Sequence, residues 1–218
     1  MKSTDQELLR LYLEHGAQDA FSALVGRYVD LVYSAALRQV RSPQLAEEVV
    51  QNVFIDLARG AAKLRPDTVL AAWLHTVTRR RAADVQRREW RHRELEHVVT
   101  ETAAVESGGT AWSQLEAEGD EALASLGERD RSVILLRFFE NKRLRDVGAE
   151  LGVSEDAAQK RLSRALDRLR SHLVSRGIAT STAALGAQLS AHAVQAAPAT
   201  LAPALTAVIA KAGLGAGV

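Results

Sequence analysis

Residues 144–162 read LRDVGAELGVSEDAAQKRL, and the order of apolar and turn residues within them decides the fold. Leu144, Val147 and Leu151 recur at helical spacing, and Gly152 suits a left-handed helix stop. Ser154 suits an N-cap, after which Ala158 and Leu162 resume the helical spacing. Two helices crossing over a short turn make a helix-turn-helix pattern. The second helix, from Glu155 to about Ser175, separates its faces: Ala158, Leu162, Ala165, Leu166 and Leu169 fall on one side, and Gln159, Lys160, Ser163, Arg164 and Arg168 on the other. Gln and Arg can pair with adenine and guanine edges in a major groove, each good pair contributing about 1–3 kcal/mol of discrimination. A solvated basic face on an ordinary helix hairpin has the same pattern.

Upstream, the spacing predicts helices over 115–126 and 128–141, the latter carrying Val133, Ile134, Leu136 and Phe139. The stretch before them, 99–113, is acidic, rich in Gly, Ser and Thr and without periodicity, and reads as a flexible linker. Ahead of that lies a second helical unit. Thr4 and Glu7 have capping-box spacing, and a helix from about Asp19 carries Phe21, Leu24, Val25, Tyr28, Leu31, Val32 and Ala35 as one apolar stripe. Ser42-Pro43 opens a third helix that buries Leu45, Val49, Val50, Val53, Phe54 and Leu57 beside a polar ridge of Glu47, Glu48, Gln51, Asn52 and Asp56. After a break at Pro66 a long helix runs from about Thr68 to Glu96, anchored by Leu70, Trp73, Leu74 and Val77. Between residues 79 and 93 it holds seven arginines, a surface suited to phosphates.

The expected architecture is all-α: a helical domain over 1–98, a flexible acidic linker over 99–113, a helix-turn-helix domain over 114–176 and an Ala-rich extension over 177–218. Composition agrees, with 47% hydrophobic residues, 5% aromatic and 4 prolines in 218 residues. The net charge of +1 averages an uneven distribution. Residues 1–98 carry 15 Lys/Arg against 13 acids, 99–130 carry 1 against 8, 131–175 carry 10 against 6, and 176–218 carry 2 against none. Two basic surfaces flanking an acidic connector favour a long anionic partner, and nucleic acid fits best. The absence of cysteine excludes disulfides, thiolate metal sites and a cysteine nucleophile. Without a signal-peptide core at the amino terminus, a cytoplasmic location is expected. HExxH, GxSxG and Walker patterns are missing and the six histidines are scattered, so no catalytic residue, metal ligand or cofactor is expected.

The runs Ala46 to Phe54, Ala72 to Arg79 and Asp84 to Arg88 resemble the second conserved region of the extracytoplasmic-function (ECF) class of bacterial RNA polymerase sigma factors. The stretches Leu123 to Leu126, Arg131 to Glu140 and Arg161 to Arg170 are similar to their fourth region. The resemblance implies a transcription initiation factor that binds core RNA polymerase, recognises minus-35 and minus-10 promoter elements and assists melting. It implies contact of Glu48, Gln51, Asn52 and Phe54 with the clamp helices of the polymerase largest subunit. It places Lys63, Arg65, Trp73, Arg79, Arg80, Arg87 and Arg88 on minus-10 DNA, and Gln159, Lys160, Ser163, Arg164 and Arg168 on minus-35 DNA. Arg80 stands where such factors often have Asn, and Asn52 where an acid is common, which leaves the minus-10 preference open.

Residues 177–218 lie outside the family pattern. They are apolar enough to raise a membrane span, but Gln188, His192, Gln195, Pro198 and Pro203 argue against membrane association. The expectation is a helical or partly ordered extension that docks on the two domains or on a regulator. An anti-sigma regulator is a further partner that the resemblance allows. The rival function is a stand-alone helix-turn-helix regulator that binds duplex DNA without polymerase, which leaves the ridge at Glu48 to Phe54 unused.

Overall fold

The computed structural model describes residues 3–96, 111–192 and 194–212, and among these it contains ten α-helices and no strand. The first domain has four helices: α1 (Asp5–His15), α2 (Gln18–Val40), α3 (Pro43–Gly60) and α4 (Leu70–Glu96). Their starts follow the local chemistry. Thr4 accepts from the Glu7 amide at 3.2 Å while Glu7 returns a bond to the Thr4 amide at 2.8 Å, and Ser42 caps α3 ahead of Pro43. Helix α2 is central, with α1, α3 and α4 packed around it. The sequence suggests one apolar stripe, whereas Leu31 to Ala36 are buried without interruption, so that stretch of α2 is covered on every side.

The second domain holds α5 (Ala111–Ser125), α6 (Glu128–Ile134), α7 (Leu144–Glu150) and α8 (Glu155–Ser175). Helix α5 begins four residues before Leu115, inside the 99–113 stretch read as linker; residues 99–110 of that stretch lie outside the described residues. The helix expected over 128–141 is not regular. It changes at Leu135–Phe139 into a π-helical turn, in which the Glu140 amide donates to the Leu135 carbonyl at 3.1 Å, and Asn141 closes it at φ 51°. The wider turn keeps Leu135, Leu136 and Phe139 all buried. Helices α7 and α8 meet as expected across Gly152, at φ 64°, and Ser154, which caps α8 by accepting from the Ala157 amide at 3.2 Å.

The extension is two helices, α9 (Thr182–His192) and α10 (Leu201–Lys211). Helix α9 packs on α8 and the π turn through Leu185 and Leu189; α10 packs on α2 and α3 through Leu201, Leu205 and Ile209. Among the described residues no helix is long and apolar enough to cross a membrane.

Candidate polymerase and nucleic-acid interfaces

The exposed face of α8 matches its sequence pattern. Ala158, Leu162, Ala165, Leu166 and Leu169 are buried, and Gln159, Lys160, Ser163, Arg164 and Arg168 are all exposed. Arg168 also reaches back to Asp130 at the start of α6, which fixes the helix against its own domain. The remaining four side chains stand exposed on adjacent turns and, among the described residues, form no ion pair with an acid, a geometry suited to a groove.

In the first domain the polar ridge of α3 and the arginine run of α4 face each other. Glu48 receives Arg88 at 2.5 and 2.7 Å, and this bond holds its carboxyl below the usual carboxylate range. Asp56 receives Arg81 at 2.7 and 2.5 Å and Arg80 at 3.4 Å. The residues assigned to two different partners are thus partly bonded to one another. Gln51 and Asn52 are half-buried, whereas Phe54 is fully buried in the core. Lys63 and Arg65 are exposed beyond α3, in and after its terminal 3₁₀ turn, with Arg65 near Asp67 at 3.2 Å and Glu128 at 3.9 Å. Along α4, Trp73 and Arg79 are half-buried and Arg80, Arg87 and Arg88 exposed, Arg87 pairing with Asp84.

Sequence reasoning missed several groups that this arrangement depends on. Trp90 is 63% exposed on α4 beside Arg87 and Arg91, and an exposed indole among arginines can stack a base. Asp120 of α5 is buried between domains, where Arg38 donates two bonds at 3.0 Å and His75 lies at 3.3 Å. Burial opposes ionisation of Asp120, but Arg38 and His75 prevail and bring its pKa down to about 2. The Phe139 ring closes this cluster, with the Arg38 guanidinium 5.7 Å and the His75 ring 6.5 Å from its centroid. Arg131 of α6 donates to Thr76 of α4 at 3.0 Å. A signal existed for Asp120 and His75: both occupy positions on the apolar stripe of their own helix, Asp120 three residues before Leu123 and His75 four after Ala71 and three before Thr78.

Comparison with known proteins identifies the two helical units. Residues 24–92 match Sigma-70 region 2 and residues 122–171 match Sigma-70, region 4. The chain is 31% identical over 163 residues to the RNA polymerase sigma factor CarQ of Myxococcus xanthus, covering 71% of this chain and 90% of that one. It is 32% identical over 158 residues to the RNA polymerase sigma-E factor of Streptomyces coelicolor, covering 61% and 88%. With the ECF RNA polymerase sigma factor RpoE of Cereibacter sphaeroides it shares 27% over 169 residues, covering 76% and 93%. Among solved structures, CnrH in complex with the cytosolic domain of CnrY aligns with a TM-score of 0.39 at 23% identity, covering 78% of this chain and 97% of that one. The fold and its two regions define a sigma-70-type transcription initiation factor, which binds core RNA polymerase and recognises promoter DNA. The chain belongs to the ECF class of RNA polymerase sigma factors.

Proposed function

We propose that the two regions divide the promoter between them. The exposed face of α8, through Gln159, Lys160, Ser163 and Arg164, reads the minus-35 element in the major groove, with Arg168 at its phosphate edge. The turn at Lys63 and Arg65 and the helix from Trp73 through Arg79, Arg80, Arg87 and Arg88 hold the unpaired minus-10 strand and so assist melting. Glu48, Gln51 and Asn52 meet the clamp helices of the polymerase largest subunit, while Phe54, buried beneath them, holds the ridge in place from the core. The chain works by binding energy, catalyses no reaction itself, and acts in the cytoplasm where polymerase does.

The segregation of faces on α8 is the observation that carries this reading. A stand-alone regulator would use the same face, but it gives no role to the α3 ridge or to the arginine run on α4. Run-off transcription with a cognate core polymerase separates the two: a promoter-dependent transcript that requires the chain is expected, and tight duplex binding without polymerase would favour the regulator. Arg164→Ala is expected to reduce discrimination between a native and a scrambled minus-35 element by about 1–3 kcal/mol, some five- to 150-fold. An equal loss on both templates would make Arg164 a phosphate contact only.

A further inference from the structure

We propose that residues 194–212 form a detachable clasp: seated on α2 and α3, they hold the chain in a closed form, and core polymerase binds only after they are released. The link to polymerase rests on the reading of α3 above.

The seat is specific. The Ser34 hydroxyl accepts from the Gln195 amide at 2.5 Å and donates to the Gln195 carbonyl at 2.8 Å, while Asp30, one turn earlier on the same face of α2, accepts from the Ala197 amide at 2.9 Å. Two side chains of α2 thereby satisfy backbone groups of a segment that has no helix of its own to satisfy them. Leu201, Leu205 and Ile209 then recur every four residues, 7%, 2% and 1% exposed, as one stripe against α2 and α3. These groups explain why α2 is buried without interruption from Leu31 to Ala36: α10 covers the face that α1, α3 and α4 leave open. An eleven-residue helix is marginal alone in water, so α10 is ordered by its seat and detaches without breaking another element. Residues 176–218 contain no acid, and their cations are Arg176 and Lys211. The contact is therefore apolar and hydrogen-bonded, and salt does not release it.

The same extension ties down the second domain. Thr182 donates to Asp167 of α8 at 2.9 Å, and Leu185 and Leu189 are buried beside α8. In this closed form α4 touches α6 and α6 touches α8, so where they pass α6 the two DNA-reading helices are about two interaxial spacings apart, roughly 20 Å at most. Minus-10 and minus-35 elements lie roughly 25 base pairs apart, about 85 Å at 3.4 Å per step. The closed form cannot read both elements. The interface beneath it is correspondingly provisional, since His75 Nδ1, Arg131 Nε and Glu140 Oε1 are buried there without a partner. Helix α10 also lies on α3, the helix that carries the proposed polymerase ridge.

The test uses the full chain, which lacks cysteine, so that Ser34→Cys with Gln195→Cys introduces a single pair across the clasp. Affinity for core polymerase is measured by fluorescence anisotropy on the oxidised pair and again after reduction, alongside Leu205→Asp/Ile209→Asp and Ala197→Pro. Apparent affinity scales with the open fraction, so oxidation is expected to weaken binding at least about tenfold, reduction to restore it, and both loosened variants to bind about tenfold tighter than the parent. Equal affinity before and after reduction overturns the clasp, and that comparison decides even where a substitution has unfolded α10, because it is made on one molecule. Glu48→Lys tests the other reading separately. If it leaves binding intact while oxidation still weakens it, the ridge assignment falls and the clasp stands; if it abolishes binding and oxidation has no effect, the reverse holds.

Discussion

Gly148 has no left-handed backbone to explain it; its role lies in what a side chain would meet. A Cβ there would lie 2.8 Å from the Val153 carbonyl oxygen and 3.2 Å from the carbonyl carbon and oxygen of Ser154, all backbone atoms of the turn that leads into α8. Only hydrogen fits where α7 approaches the turn. Gly148→Ala is therefore expected to destabilise the second domain by about 1–3 kcal/mol through overpacking. Thermal denaturation followed by circular dichroism checks this, and a midpoint equal to the parent's would refute the steric argument. Gly152 was readable from sequence because a helix stop followed by a capping serine is a local pattern; Gly148 was not, because its constraint comes from atoms five residues on that approach only once the turn has closed. Asp120 and His75 are the same case between domains. Each is a polar residue on an apolar stripe, but the partner that makes such a position tolerable lies 45 residues away in sequence.

The helix starts, the faces of α8 and the capping of α1 and α3 were legible because each depends on residues within one or two turns. Two element properties were not: which side of α2 is covered, and by what. The α2 sequence around Leu31 to Ala36 carries no charge and only Ser34 and the Tyr33 hydroxyl as polar groups, which states that neighbours exist without naming them, and one of them begins some 165 residues later. The pairing of α3 with α4 escaped for a related reason. Glu48, Asp56, Arg81 and Arg88 all read as solvent- or partner-facing charges, and only the crossing of the two helices makes them mutual partners. Asp56 is 17% exposed at its side chain and takes three guanidinium bonds, so it acts as the brace of this crossing. Arg81→Ala, which leaves that carboxylate with Arg80 alone, is expected to destabilise the first domain by about 1–3 kcal/mol. Arg88→Ala breaks a pair about half exposed to water and is expected to change stability by less than about 1 kcal/mol. Urea denaturation of both variants gives the comparison; equal losses would mean that burial does not set the difference.

At the scale of the whole molecule the question is what closes the two regions on one another and when they part. The interdomain cluster supplies a charge that depends on pH. Asp120 has a pKa of about 2 in the closed form against 3.8 for an ordinary aspartate, because Arg38 and His75 outweigh its burial. A depressed carboxylate stabilises the state that depresses it above the ordinary value, and the contribution disappears as pH falls through the lowered one. The ionised Asp120 thus favours closure at neutral pH, and that contribution declines as pH falls from about 4 toward 2. Glu140, at the same interface with Tyr28, Lys142, Glu150 and Asp5 around it, is shifted the other way: burial raises its pKa despite Lys142, so its ionisation works against closure and acid relieves it. The two groups therefore oppose each other on acidification, and replacing Asp120 separates them. Asp120→Asn leaves Arg38 and His75 without the carboxylate while removing the titration, and is expected to open the chain at neutral pH. Small-angle X-ray scattering across pH 3–7 reads the result: the parent's radius of gyration should rise only toward the acid end, and the variant's should be larger at pH 7 and should not rise further in that window. A variant as compact as the parent at pH 7 would assign closure to the extension alone, with the buried ion pair contributing only to the placement of α5.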